Sequence, residues 1–137
     1  MKHVLLVDPD ADRRAPLIVP FQKFGYRVSE AGTVEDGLIK LCQEALDVVV
    51  TELWLPGFDG LELARRMRSQ PTRGYPSIVA FTEVPLTSSR AEQALRAGCD
   101  LVLAKAYLPW IFVARVDHLL QESYELRALA RVAQERG

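Results

Sequence analysis

Several things are scarce in this chain. Its two cysteines, Cys42 and Cys99, cannot staple a small scaffold and have no metal-ligand spacing. They sit in apolar contexts and read as reduced core residues in a reducing compartment. No apolar run reaches the about 18 residues that a spanning helix needs, and no signal peptide is legible. The expected location is therefore cytoplasmic, with no membrane partner. An excess of one charge is missing too: 17 basic against 18 acidic residues leave a net charge of −1. That balance removes the general electrostatic case for nucleic acid. There is no internal repeat and no low-complexity segment. With 49% apolar and 26% charged residues, the 137 residues suit one globular domain with room for a real core.

What is present is organised around Leu46–Arg68. Val48-Val49-Val50 is a β-branched run short enough for a strand buried on both faces. Thr51 and Glu52 follow it, and Pro56-Gly57 makes a turn. Asp59, with Glu62 three residues on, forms a capping box for a helix whose inward face is Leu61, Leu63, Ala64 and Met67.

The rest of the chain alternates around this unit. Val4–Val7 is a buried strand ending at Asp8. Asp10 or Asp12 suits the cap of the next helix, which carries Pro16 and Pro20. Pro16 fits a first turn, whereas Pro20 removes a helical hydrogen bond, so this helix is expected to start late or kink, closing at Gly25. Arg27–Ala31 is a weaker strand. Thr33 caps a helix with Val34, Leu38, Leu41, Cys42 and Ala45 inward. Further on, Ser77–Phe81 is a strand with Thr82 at its carboxyl end. Ser89 and Glu92 form a capping box for a helix stopped by Gly98. Leu101–Ala104 is the fifth strand, ended by Lys105, and after Pro109 a long last helix runs from Trp110 to about Arg136.

Five buried strands alternating with five helices imply a parallel sheet covered on both faces. Right-handed crossovers favour a doubly wound, flavodoxin-like α/β order 2-1-3-4-5. In that order the carboxyl ends of strands one, three, four and five bring Asp8, Glu52, Thr82 and Lys105 to one cleft. Any one of the four is an ordinary strand-end residue. Two acids, a hydroxyl and an ammonium at successive strand ends, where open α/β sheets hold their ligands, mark a site.

LLVDPD at the first strand, LPGFDGLELARRMR after the third, Thr82, and LAKAY around Lys105 resemble the receiver domain of two-component response regulators (CheY-like). The resemblance covers residues 1–122, with 123–137 as a helical extension. It implies an aspartate at the end of strand three that accepts a phosphoryl group from a histidine kinase. It also implies two acids after strand one that bind Mg²⁺, and a Thr/Ser and a Lys that contact the phosphoryl oxygens. The chain departs from this pattern. Glu52 stands at the acceptor position. Pro9 falls where the second metal-binding acid belongs, leaving Asp8 as the matching acid and Asp10 one position along. Ala106 replaces the proline after the lysine, followed by Tyr107. Val102 falls at the aromatic switch position, so Val102 and Tyr107 mark the expected switch surface. Trp54 lies where the family offers a backbone carbonyl to the metal, a contact its side chain does not exclude.

Phosphoryl transfer rests on positioning and on neutralising developing charge. Glu52 carries its carboxylate one methylene farther than Asp, and a misplacement of about 1 Å can cost about a hundredfold in rate. It is a poor acceptor. Pro9 deprives Mg²⁺ of a ligand and a charge, so no cofactor is expected and Asp8 is the one matching ligand left. Two readings of Glu52 stay open. Its carboxylate either stands in for the phosphoryl group, pairing with Lys105 and taking a hydrogen bond from Thr82, or fills a disused site as a structural ion pair.

The function expected is a non-catalytic pseudo-receiver that signals through contacts with a histidine kinase or a downstream effector. The alternative is a conventional receiver that uses Mg²⁺ and is phosphorylated on Glu52 or a nearby acid. A flavodoxin-like cofactor-binding enzyme is remote, since no Gly- or Ser/Thr-rich phosphate loop follows strand one. On the last helix Phe112, Val116, Leu119, Ser123, Leu126, Ala130 and Ala133 recur by four and three. Its far half, where Leu129 joins the stripe, suits a homodimer or a partner helix as well as a solvated tail.

Overall fold

A strand such as Val48-Val49-Val50 can be buried on both faces only where helices cover both. The computed structural model, which describes residues 1–70, 75–104 and 108–136, has that arrangement. From the amino terminus the elements are β1 (Lys2–Val7), α1 (Ala11–Lys23), β2 (Tyr26–Ala31), α2 (Val34–Gln43), β3 (Val48–Thr51), β4 (Trp54–Leu55) and β5 (Phe58–Asp59). α3 (Gly60–Ser69), β6 (Ser77–Thr82), α4 (Ser88–Ala97), β7 (Leu101–Ala104) and α5 (Pro109–Arg136) complete the chain. The main sheet is parallel with order β2-β1-β3-β6-β7. Counting its own strands, that is the doubly wound 2-1-3-4-5 order. β4 and β5 stand outside it as a small antiparallel hairpin about Pro56-Gly57, pairing Trp54 with Asp59 and Leu55 with Phe58. Gly57, at φ 73°, supplies the left-handed residue that follows proline in a type II turn.

Alternation along the strands divides the core in two. Val4, Leu6, Val48, Val50, Val79 and Phe81 meet Leu17 and Phe21 of α1 and Phe112, Val113, Val116 and Leu120 of α5. On the opposite face Leu5, Val7, Val49, Ile78 and Ala80 meet α2, α3 and α4 through Leu38, Leu41, Leu63, Ala64, Met67, Ala94 and Ala97. The rings of Phe81 and Phe112 stack with centroids 4.0 Å apart and planes 13° from parallel. A polar tie adds to this. The Tyr26 hydroxyl donates to Asp117 at 2.7 Å, and Lys2 pairs with the same carboxylate at 3.0 Å. Burial, then the bond to Asp117, pushes the Tyr26 phenol well above its ordinary pKa.

Four local expectations are corrected. α1 starts early, at Ala11, and runs through both prolines, with Asp10 as its N-cap. The burial of Leu17, Pro20 and Phe21 against the sheet outweighs the donors lost at the prolines. α4 is capped by Thr87, whose hydroxyl accepts from the Arg90 amide at 3.2 Å, two residues before the expected Ser89. Glu92 instead pairs with Arg96 one turn on, at 2.6 Å. Cys42 and Ala45 are exposed: Cys42 is rotated about 100° from buried Leu41, and Ala45 lies beyond the end of α2. Cys99 alone is the buried thiol, and burial pushes its pKa up to about 12.

The last helix spans about 42 Å, longer than the sheet it covers. Leu119, in the first part of the stripe, is partly buried against the core. Past Tyr124, whose hydroxyl donates to Asp47 at 2.5 Å, the helix projects, with Leu126 67% and Leu129 66% exposed, and Ala130 and Ala133 also in solvent. Among the described residues no helix is long and apolar enough to cross a membrane.

Candidate functional site

The register of the sheet places the site residues. Val7 pairs with Thr51 and Thr51 with Ala80, so Asp8 and Glu52 lie just past the last paired residues of neighbouring strands, with Thr82 at the end of β6. These three converge as expected. Lys105, Ala106 and Tyr107, expected at the same end and on the switch surface, lie outside the described residues.

Glu52 is 2% exposed. Its Oε1 accepts from the Thr82 hydroxyl and from the Glu83 amide, each at 3.2 Å, and its Oε2 accepts from the Leu53 amide at 3.2 Å. The Thr82 hydroxyl accepts in turn from the Val84 amide at 3.0 Å. A buried carboxylate requires such donors, because a charge without them is costly to remove from water. The loop carrying Glu52 is pressed against the first residue of α3: the Gly60 amide donates to the Leu53 carbonyl at 3.3 Å.

Asp8 is held differently. The Arg13 guanidinium forks onto it, with Nε 3.0 Å from both oxygens and Nη2 2.9 Å from Oδ1. The Asp10 amide donates to Oδ1 at 2.8 Å. The hydrogen bond to Asp8 raises the Arg13 pKa above its ordinary value. Arg14 donates to the Asp8 carbonyl and pairs with Glu30 at 2.9 Å. Between Asp8, Arg13, Thr51, Glu52 and Phe81 lies a cavity of about 20 Å³, room for a single water.

These residues do not fit Mg²⁺. The ion wants near-ideal octahedral geometry and carboxylate oxygens turned toward it. Both Asp8 oxygens face the Arg13 fork, Pro9 is exposed and has no carboxylate, and Asp10 is turned into the cap of α1, accepting from the Asp12 amide at 2.9 Å. Among the described residues no group of three acidic, histidine or cysteine side chains has metal-binding geometry.

Two further expected residues lie at the edge of the site. Trp54 is half-buried on the hairpin; it packs against the core and faces the Arg90 guanidinium, 6.0 Å from its ring centroid. It is not among the residues that line the small cavity. Val102, also half-buried, packs against the core on the α2–α3–α4 side. Sequence reasoning missed Arg13. The signal was its place as the third residue of α1, where side chains lean back toward the amino end of the helix and so toward Asp8. A helix start placed too late conceals it.

A doubly wound five-stranded sheet with two buried acids and a hydroxyl at its carboxyl edge defines a CheY-like α/β domain. Residues 4–117 match the response regulator receiver domain family, and the chain belongs to it. Receiver domains are signal-transduction modules that work with histidine kinases and effector domains. Among relatives, the phosphate regulon transcriptional regulatory protein PhoB of Pseudomonas aeruginosa is 30% identical over 127 residues, 89% of this chain and 53% of that protein. ResD of Bacillus subtilis is 28% identical over 88% of this chain and 48% of its own. The chain thus spans about half the length of these curated relatives. DrrB, an OmpR/PhoB homologue of Thermotoga maritima, superposes with TM-score 0.76 at 28% identity, over 90% of this chain and 54% of that one. A CheY-like receiver from Methanospirillum hungatei shares the fold with TM-score 0.79 at 23% identity, over 91% of this chain and 98% of that one.

Proposed function

We propose that this receiver signals through protein contacts without being phosphorylated, as a non-catalytic module of the response-regulator family. The hydrogen bonding of Glu52 carries the reading. Its Oε1 already takes the Thr82 hydroxyl and the Glu83 amide, donors at the end of β6 that a phosphoryl oxygen on this acid would otherwise attract. Glu52 is thereby the stand-in for a phosphoryl group, one charge in place of about −1.5 to −2. Because it is also nearly sealed from solvent, an incoming phosphoryl donor meets a carboxylate that is buried and engaged. The histidine kinase or effector is then a binding partner and not a phosphoryl donor. The test is incubation of the full chain with acetyl phosphate and Mg²⁺, followed by intact mass. No stable mass increase is expected. A phosphorylated species would establish the conventional receiver instead.

We propose further that the projecting half of α5 is a contact surface, for a second copy of the chain or for a partner helix. Leu126, Leu129, Ala130 and Ala133 lie together on that helix at spacings of three and four, beyond the reach of the core. Placing a charge there by Leu126→Glu is expected to turn a dimer into a monomer in sedimentation at high concentration. The melt of the core should move by no more than about 0.5 kcal/mol, as for an exposed position. A wild type that is monomeric under the same conditions, and that loses no partner when residues 124–137 are deleted, makes the stripe a solvated tail.

A further inference from the structure

At the amino end of the sheet, the edge opposite Glu52, the backbone fixes Asp47 between β1 and β6. Its amide donates to the His3 carbonyl at 2.9 Å, and its carbonyl accepts from the Ser77 amide at 3.0 Å. Its carboxylate takes two neutral donors, the His3 amide on Oδ2 at 2.7 Å and the Tyr124 hydroxyl on Oδ1 at 2.5 Å. Among the described residues no lysine, arginine or histidine side chain pairs with it. The cations of adjoining elements are engaged elsewhere, Lys2 with Asp117 and Arg68 with Asp100. Asp47 lines a cavity of about 290 Å³ together with Leu46, Tyr75, Ser77, Leu120 and Tyr124. That volume is at the lower edge for small-molecule sites, about 300–1,000 Å³. The Tyr75 ring already carries the Arg68 guanidinium 4.4 Å from its centroid, so Tyr75 supplies apolar wall and Asp47 supplies the charge. A held carboxylate with lone pairs to spare, set beside leucines and tyrosine rings, matches an ammonium group on an apolar body.

We propose that this cavity binds a small free amine, its ammonium group on the Asp47 carboxylate and its apolar body against Leu120 and the two tyrosines. The ligand sits where Tyr124 fastens α5 to Asp47, at the root of the projecting half of that helix. One carboxylate suits an ammonium and not a metal ion, which needs several ligands. A lysine side chain offers the same head on a single-file stem and leaves the width between the tyrosines unfilled, so a bulkier free amine is the better match. The inference stands apart from the reading of Glu52, because it concerns the other edge of the sheet.

The test is titration of the full chain with phenethylamine, followed by the amide NMR signals of Asp47, Ser77 and Tyr124. Saturable shifts are expected there, with a Kd of about 1 mM or tighter. Phenethyl alcohol, the neutral match, and phenylacetate, an anion on the same ring, should bind about tenfold more weakly or not at all. n-Butylamine, which reproduces the lysine stem, should also bind more weakly than phenethylamine. Asp47→Asn keeps one acceptor oxygen and should weaken phenethylamine by about tenfold or more. Ser123→Leu fills the cavity from α5 without touching the carboxylate, and it should abolish binding; it decides the matter if Asp47→Asn does not fold. Absence of saturable shifts overturns the proposal, as does equal affinity for the alcohol or unchanged affinity in either folded variant. Equal or tighter binding of n-butylamine overturns the assignment to a bulky free amine in favour of a lysine side chain.

Discussion

Gly60→Ala will destabilise the domain by about 3 kcal/mol or more, the upper range for overpacking, despite placing a better helix former in a helix. A Cβ at this position would lie 1.9 Å from the Glu52 carbonyl oxygen and 2.7 Å from the Leu53 Cα. Both obstacles are backbone, so no rotamer change relieves them. The strand-end loop must move, and with it the Leu53 amide that donates to Glu52. Gly37→Ala is the matching control. Its added Cβ meets Val7 Cγ2 at 3.5 Å, ordinary contact, inside α2. There the change should be neutral or stabilising by up to about 1 kcal/mol. Urea unfolding of the two variants against wild type measures both. Equal midpoints for Gly60→Ala and wild type would mean that the loop does not rest on α3.

Phe112→Ala should cost about 3–5 kcal/mol, the range for emptying a buried aromatic site. Phe112 is 0% exposed and stacks on Phe81, one residue before Thr82. The same change loosens the root of α5, whose other anchors in the core are Val113, Val116 and Leu120. Calorimetry would show a lowered midpoint. A loss below about 1 kcal/mol would mean that the site collapses around the missing ring.

The strand order and the meeting of Asp8, Glu52 and Thr82 were legible in the sequence, because continuous apolar strands admit few topologies and each strand end was marked by a polar residue. Features set by tertiary packing were harder to read. The prolines of α1 carry a real local penalty, but burial of Leu17, Pro20 and Phe21 overrides it. That shift in helix start brings Arg13 onto Asp8, an ion pair that no motif spells out. Thr87-Ser88-Ser89 offers several hydroxyl caps in a row, and the fold uses the first. The pressure of Gly60 on the Glu52 loop depends on how closely α3 approaches β3, which spacing alone does not encode. The stripe on the last helix divides within one turn: Leu120 is core and Leu119 is partly buried against it, whereas Leu126 is exposed.

Beyond Tyr124, whose hydroxyl donates to Asp47 at 2.5 Å, the last helix runs on to Arg136 for about 18 Å. A rod of that length fixed at one end is a lever arm. A tilt of about 5° at its root, small enough to be absorbed by the Phe81–Phe112 stack and the Tyr26–Asp117 and Tyr124–Asp47 bonds, displaces the far tip by about 1.6 Å. Whatever grips the tip therefore feels small rearrangements in the core with their amplitude enlarged.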